Sequence, residues 1–425
     1  MELKPGYKQT EVGVIPEDWE VKPLESVAFV TSGKRLPLGR TLTTQATPHP
    51  YVRVTDMRPG TVSLAEIMFV PVDVFPSIQR YRIYKEDLFI SVAGTLGIVG
   101  KIPPELHGAN LTENADRITS ISCSQDYLLH VLMSPSIQRL IDSLQTIGAQ
   151  PKLALARIRR FDIPLPPTRA EQEAIAGALS HADALIESLE QLLTKKRQIK
   201  QGAMRELLTG KKRLPGFTSK PGYKQTEVGV IPEDWEVKRL GDVAPIATGN
   251  TPPTRDPQNY GDEFLFVSPV DMGWSKYISR TEKMLSKKGF SISRPFPARS
   301  VLFVCIGSTI GKCGIAAVPL TSNQQINAIF PSETVIADYL YYAVCLVAGK
   351  IRSLAGEQAV PIVNKSQFSE AAISLPSTRA EQTAIAAVLS DMDAETAALE
   401  TKLAKARQVK QGMMQELLTG RIRLV

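Results

Sequence analysis

The sequence has four cysteines, Cys123, Cys305, Cys313 and Cys345, and no CxxC pair among them. That leaves no basis for a disulfide framework or a zinc site, and a reducing cytoplasm is the expected compartment. No apolar run approaches the ~20 residues that span a bilayer, so no membrane helix is expected. The opening MELKPGYKQTEVG lacks the apolar core of a signal peptide. Four histidines (His49, His107, His130 and His181) are scattered, with no HExxH, no paired carboxylates and no Ser-His-Asp pattern. The glycine loops GTLGIVGK (94–101) and GSTIGKC (307–313) miss the GxxxxGK[ST] spacing and are expected to be strand-exit turns. No GxGxxG with an acidic partner supports a dinucleotide site. The Pro-Pro pairs at 103–104, 166–167 and 252–253 do not form the Asn/Asp-Pro-Pro-Tyr/Phe motif that grips a flipped base in amino-methyltransferases. An enzyme built on the glycine loops is thus the remote alternative.

What is present is a globular composition, 43% hydrophobic and 22% charged, with a net charge of +7 over 425 residues. At about 150 residues per domain that predicts two or three domains. The decisive feature is an internal duplication. KPGYKQTEVGVIPEDWEVK at 4–22 recurs unchanged at 220–238, and 166–214 matches 376–424 at 30 of 49 positions. Residues 23–165 and 239–375, between the matched parts, are almost unrelated. The domain plan is therefore a repeat segment (1–22), a variable block (23–165), a central long helix (166–214), a linker with the second repeat segment (215–238), a second block (239–375) and a C-terminal long helix (376–425).

Each long helix has its start and stop written in the chain. Thr168 with Glu171 and Thr378 with Glu381 are capping boxes, preceded by prolines, and Gly210 and Gly420 sit where a helix would end. Forty residues make a rod of roughly 60 Å. Its apolar stripe is narrow: Ile175, Leu179, Ala182, Ile186, Leu189 and Leu193 in one copy, Ile385, Leu389, Met392, Leu399 and Leu403 in the other. Both stripes then shift phase, through Ile199, Ala203 and Leu207, and through Val409, Met413 and Leu417. A narrow stripe suits pairing of the two rods as an antiparallel coiled coil with a pseudo-twofold axis. The alternative is two surface helices, each buried on its own block.

The blocks show the same order of elements and predict a shared α/β (mixed α+β) fold. Strands are expected at 51–57 and 87–94 and a helix at 127–144; the second block repeats this at 264–272, 300–308 and 338–354. Each block carries +3 and the first long helix another +3, while the repeat segments are slightly acidic. Cations and amides gather in the loops and mark a candidate polyanion surface. The first block offers Lys34, Arg35, Arg53, Arg58, Lys101, Asn110, Asn114, Arg157, Arg159 and Arg160. The second offers Asn250, Thr251, Arg255, Lys276, Arg280, Lys287, Lys288, Asn323, Gln324 and Gln325. Arg, Asn, Gln and Thr read base edges, and Lys mostly meets phosphate; a solvated surface is the alternative for any one of them. Lys195, Lys196, Arg197, Lys200, Lys402, Lys405, Arg407 and Lys410 could line DNA or simply make a charged helix face.

IPEDW, a variable block, then LPPTRAEQxAIA and RQxKQGxMxELLTG, twice over, resembles the specificity (S) subunit of type I restriction–modification enzymes. The frame is similar over the whole chain; the blocks match through short tokens such as TGNTPPT and TIGKCG, and the first block departs with TSGKRLP. The resemblance implies two target-recognition domains separated by two antiparallel helices, each reading half of a bipartite, asymmetric site in double-stranded DNA. It implies two methyltransferase (M) subunits as partners, with restriction (R) subunits added. S-adenosylmethionine, ATP and Mg would be held by those partners, with no cofactor, metal or catalytic residue on this chain. An S-like subunit of another phage-defence methyltransferase without a restriction partner is the nearer alternative.

Overall fold

The computed structural model describes residues 5–144, 152–217, 221–273, 275–356 and 359–424. Lys4 and Lys220, which open the two repeat segments, lie outside them. The chain divides into two compact units, and both cut across the linear plan. Unit 1 is Met1–Glu190 with Lys402–Val425, and unit 2 is Gln191–Thr401. Each unit combines one repeat segment, one variable block, the first part of one long helix and the last part of the other.

In unit 1 the repeat segment forms a hairpin, Tyr7–Thr10 against Gly13–Pro16, and then the strand Glu20–Pro23, which pairs antiparallel with Asp162–Leu165 at the far end of the block. The block is built on an antiparallel sheet in the order Val99–Lys101, Leu88–Ser91, Ala115–Thr119, Phe29–Ser32. A second sheet runs Met68–Phe69, Pro50–Val52, Ala109–Leu111, Arg82–Ile83, with one parallel pairing, between Ala109–Leu111 and Pro50–Val52. Leu88–Ser91 is buried on both faces: Leu88 and Ile90 enter the main core, and Phe89 enters a second one with Val52, Ile83 and Leu111. The period of two along a strand sends alternate side chains to opposite faces. The main core also receives Tyr127, Leu128 and Val131 from the helix Gln125–Leu132.

Three local expectations change, two of them in the first block; the third, the strand expected at 264–272, ends at Val267 ahead of a 3-10 turn at Pro269–Asp271. The helix expected at 127–144 is broken into Gln125–Leu132 and Pro135–Ser143, because Pro135 has no N–H to continue the first helix and Ser134 caps the second. The strand expected at 51–57 stops at Val52. There the Asp56 carboxylate accepts the Arg53 backbone N–H at 2.9 Å and folds 54–56 into a 3-10 turn.

Unit 2 repeats this plan with other side chains. Its hairpin is Tyr223–Thr226 with Gly229–Pro232, and Glu236–Arg239 pairs with Ala372–Leu375. Its main sheet runs Ile246–Thr248, Ile326–Ile329, Val301–Val304, Cys313–Ala316, Tyr277–Ile278. In its second sheet Phe264–Val267 pairs parallel with Thr321–Ser322, and one helix, Ala337–Ser353, covers the main sheet. The two blocks therefore share the order of their first four main-sheet strands.

The long helices are Arg169–Leu208 and Arg379–Leu417. Thr168 and Thr378 accept the N–H of Glu171 and Glu381 at 3.2 and 3.3 Å. The other half of the expected capping box is replaced by ion pairing. Buried Glu171 is held by Arg423, and buried Glu381 by Arg213 at 2.7 Å and by Trp235 Nε1 at 3.2 Å. Gly210 and Gly420 end the helices at φ of +67° and +66°; a Cβ there would stand 2.5–2.6 Å from Pro232 and Pro16 of the hairpins. Only glycine fits both demands.

The start of each apolar stripe is buried in the core of a block. Ile175 and Leu179 are part of the first block's main core, and Ile385 and Leu389 of the second's, alongside Met414, Leu417 and Leu418, and Leu207 and Leu208, from the other helix in each unit. Those four residues, expected to pair the rods, anchor the blocks. Leu189, Leu193 and Leu403 are buried farther along, while Ile186, Met392 and Leu399 are half-buried.

Candidate nucleic-acid interface

The strand-exit loops of the second block converge. Gly249 lies against the chain at 322–323: a Cβ on it would meet Ser322 Oγ at 2.2 Å and the Asn323 carbonyl oxygen at 2.3 Å. This close approach brings TGNTPPTR beside SNQQ, as a shared polar surface requires. Thr251 Oγ1 donates to Gln324 Oε1 at 2.7 Å, and both residues are exposed. Asn323 Nδ2 donates to Gln325 Oε1 at 2.9 Å. Asn250 shapes the loop, its Oδ1 accepting the Arg294 N–H at 2.7 Å. Arg294 was not singled out in the sequence, because it joins the cluster from 44 residues away and no spacing rule reaches so far. Its guanidinium donates to the Thr248 carbonyl at 2.6 Å. Arg255, Arg280, Lys287 and Lys288 are exposed, with Lys288 bonded to Asp256 and Gln258 at 2.8 and 2.9 Å.

Lys276 is not part of this surface. Its ammonium bonds Asp338 at 2.7 Å and Ser390 at 2.8 Å, and lies 4.5 Å over the Tyr342 ring. A desolvated ammonium must be paired, and this one fastens the block to the long helix. Burial pushes the Asp338 carboxyl up, but hydrogen bonds from Lys276, Tyr277 and Arg299 outweigh it and hold it at about 2.

In the first block Lys34, Arg35, Asn114, Arg157 and Arg160 are exposed. Asn110 is not: it is fully buried in its strand, with Nδ2 donating to the Ile78 carbonyl at 2.8 Å, so it holds the fold rather than facing a ligand. Arg53 is engaged by Asp56 through two bonds and by the Glu66 carbonyl. Arg58 bonds the Thr55 and Met57 carbonyls, Arg159 the Val30 carbonyl and Lys101 the Asp126 carboxylate. Each of these four has at least one donor engaged within the fold, and Arg58 remains exposed.

The helix-borne cations are largely neutralised. In unit 1 Lys410 pairs with Asp183 and Arg407 with Glu190, both at 2.5 Å. In unit 2 Lys196 pairs with Glu395 and Arg197 with Glu400 at 2.6 Å, and Lys200 with Asp393. From Asp183 to Glu190 the partner falls from Lys410 to Arg407, and from Lys196 and Arg197 to Lys200 it falls from Glu395 and Glu400 to Asp393, so the paired stretches run antiparallel within each unit.

In the glycine loops the Gly97 N–H donates to the Ser91 carbonyl, Gly307 to Pro361 and Gly311 to Val304, so these three donors are engaged within the fold. Among the described residues no cluster of three or more His, Cys, Asp or Glu could hold a metal ion, and no helix is long and apolar enough to cross a membrane.

The family model for the type I restriction modification DNA specificity domain matches twice, over residues 16–201 and 232–408. The chain belongs to the type I specificity-subunit family. Among its relatives, the MjaX type I restriction enzyme specificity subunit assigned in Methanocaldococcus jannaschii is 27% identical over 98% of this chain and 97% of its own. The HindI specificity subunit of Haemophilus influenzae is 27% identical over 53% of this chain and 52% of its own. A crystal structure of the S subunit from M. genitalium superposes with a TM-score of 0.59 at 13% identity, covering 98% of both chains. A chain from a study of type I R-M complex assembly gives 0.56 at 17%, over 96% of this chain and 99% of its own. At those identities the likeness is one of fold. Each match runs from the end of a repeat segment through one variable block and most of one long helix.

Proposed function

We propose that this chain is the sequence-reading subunit of a type I restriction–modification complex, with one half of a bipartite, asymmetric DNA site read by each block. The observation that carries the reading is a main-sheet plan used twice, with unrelated side chains on its loops, inside a frame whose hairpin segment is repeated unchanged and whose helices match at 30 of 49 positions. Two different half-sites require two different reading surfaces, and two identical partners require two identical docking frames. The antiparallel ion pairs in each unit support a helical spacer of coiled-coil type with a pseudo-twofold relation between the repeats. A ~60 Å rod is ample for half-site centres one turn of DNA, ~34 Å, apart.

On this reading the partners are double-stranded DNA, two methyltransferase subunits docked on the frame, and restriction subunits. S-adenosylmethionine, ATP and Mg belong to those partners, the chain contributes no catalytic group, and the complex works in the cytoplasm. In the second block Asn250, Thr251, Arg255, Asn323, Gln324 and Gln325 supply base-edge donors and acceptors, and Arg280, Lys287 and Lys288 meet phosphates.

The test is genome-wide single-molecule mapping of adenine methylation, followed by replacement of residues 23–165 with the block of a relative. One half of the methylated site should change, with the other half and the spacer constant. A swap that alters both halves together would refute the assignment.

A further inference from the structure

The loop joining Phe29–Ser32 to Pro50–Val52 carries a leucine with nothing to pack on. Leu38 has a relative exposure of 104%. It occupies the second position of a β-turn closed by the Arg40 N–H on the Pro37 carbonyl at 3.0 Å. Gly39 follows at φ of +80°, which is the third-position conformation of a type II turn. The turn is held on both sides. The Lys34 N–H donates to the Leu111 carbonyl at 2.8 Å, Thr43 exchanges backbone bonds with Phe69, and Arg40 is ion-paired to Asp73. Leu36 and Leu42 pack onto Tyr51, Val70, Val74 and Ile78. Two leucines of this loop are thus anchors, and the third is presented to solvent at a braced tip. Exposed Lys34 and Arg35 lie on one side of it and Arg40 on the other.

We propose that Leu38 is a specificity-determining residue that packs against the C5-methyl group of a thymine in the half-site read by the first block. The inference rests on the DNA-reading function above and deepens it. Exposed Lys34 and Arg35 beside the tip complement the phosphates at the edge of a groove, and the major groove admits a narrow ribbon of chain. The only apolar feature that a base pair offers there is the thymine methyl. A tip already fixed in shape loses little entropy on docking. The corresponding loop of the second block has exposed Thr251 and Arg255 and reads by hydrogen bonds, so the two blocks would use different chemistry for their different half-sites.

The test uses the full chain in complex with its methyltransferase subunits and duplexes carrying the mapped site. Each thymine of the first half-site is replaced singly by uracil, which removes only the methyl group. One replacement should weaken binding by the wild-type complex about 4-fold, the value of one buried methyl-sized group. Leu38→Ala should weaken binding to the thymine duplex by at least as much and be indifferent to that uracil, whereas Leu38→Met should retain part of the effect. Uracils in the second half-site should act equally on wild type and variant. A wild-type complex insensitive to every first-half uracil, or a Leu38→Ala complex that stays fully sensitive, overturns the proposal. So does Leu38→Ala acting through loss of subunit assembly, which would make the tip a protein contact. If the wild-type complex binds the mapped duplex no better than a scrambled one, the DNA-reading function itself fails, and the two failures are distinguishable.

Discussion

Lowering the pH from 7.5 to 5.0 should destabilise unit 1 through His130, and the position matching it in unit 2 supplies an internal control. His130 is buried; its Nε2 lies 3.1 Å from Ser180 Oγ, and its Nδ1 has no hydrogen-bond partner. Burial pushes its pKa down to about 4; Asp183 and Asp126 oppose that shift, and Lys410 and Lys101 add to it. In the unfolded chain the imidazole titrates near 6.5. Between these values the unfolded state binds more protons, so stability is present above pH 6.5 and is lost as the pH falls towards 4. The loss amounts to about 2 kcal/mol at pH 5.0 and approaches about 3 kcal/mol below pH 4. In unit 2 the place is taken by Tyr342, whose hydroxyl donates to the Asp393 carboxylate, lies 3.2 Å from Ser390 Oγ and is pushed above its ordinary range by burial and by Asp393, so it does not titrate here. Hydrogen exchange, corrected for intrinsic rates, should show peptides spanning 88–91 losing about 2 kcal/mol more protection between pH 7.5 and 5.0 in wild type than in His130→Gln. Peptides spanning 301–304 should be the same in both proteins. A difference under about 0.5 kcal/mol at 88–91, a small fraction of the linkage expected, would refute the reasoning.

Arg213→Met should cost unit 2 roughly 3–5 kcal/mol in urea denaturation, because it strands the buried carboxylates of Glu381 and Asp234. Adding Glu381→Gln should recover part of that loss. Gly210→Ala should destabilise by more than ~1 kcal/mol, since a left-handed backbone and a Cβ 2.5 Å from Pro232 both oppose it. Gly202→Ala, mid-helix with nothing within 4 Å of the new Cβ, should stabilise by up to ~1 kcal/mol; thermal melts decide both signs. Arg280→Ala, which removes an exposed phosphate-meeting cation, should lower the slope of log affinity against log salt by about 1 without altering the methylated sequence.

The frame was legible in the sequence because its signals are local. A threonine three residues before a glutamate, a proline before it and a glycine forty residues on fixed both long helices to within a residue or two of Arg169–Leu208 and Arg379–Leu417. The interface was legible only as a set of loops. Exposed Thr251 and Gln324 meet as their types suggested, yet Asn110, in an equally polar loop signature, is buried. The difference lies in strand register: Asn110 pairs with Tyr51 on one side and Arg82 on the other, which turns its amide inward. Lys276 was misplaced for a related reason, since its partners Asp338 and Ser390 lie 62 and 114 residues away. Charge in a sequence marks where cations are, and tertiary pairing decides which of them remain for a ligand.

The geometry also accounts for why one segment is repeated without change while the blocks differ freely. Each copy of the hairpin meets a helix end through the same contacts: Pro16 on Gly420 and Pro232 on Gly210, with the Tyr7 and Tyr223 hydroxyls on the glycine carbonyls. The guanidiniums of Arg423 and Arg213 lie 5.8 and 5.5 Å over the rings of Trp19 and Trp235 while bonding Glu171 and Glu381. The tyrosine, proline, aspartate and tryptophan of that segment are thus each in contact with the end of the repeated helix or the chain just beyond it, so a substitution at one of these contacts demands a matching one on the other side. The sheets of the blocks ask only for apolar residues at alternate positions, and their loop tips end in solvent. Leu38, Thr251 and Arg255 can be exchanged without disturbing a single core contact, and a half-site can therefore be re-read by changing loops on a frame that stays as it is.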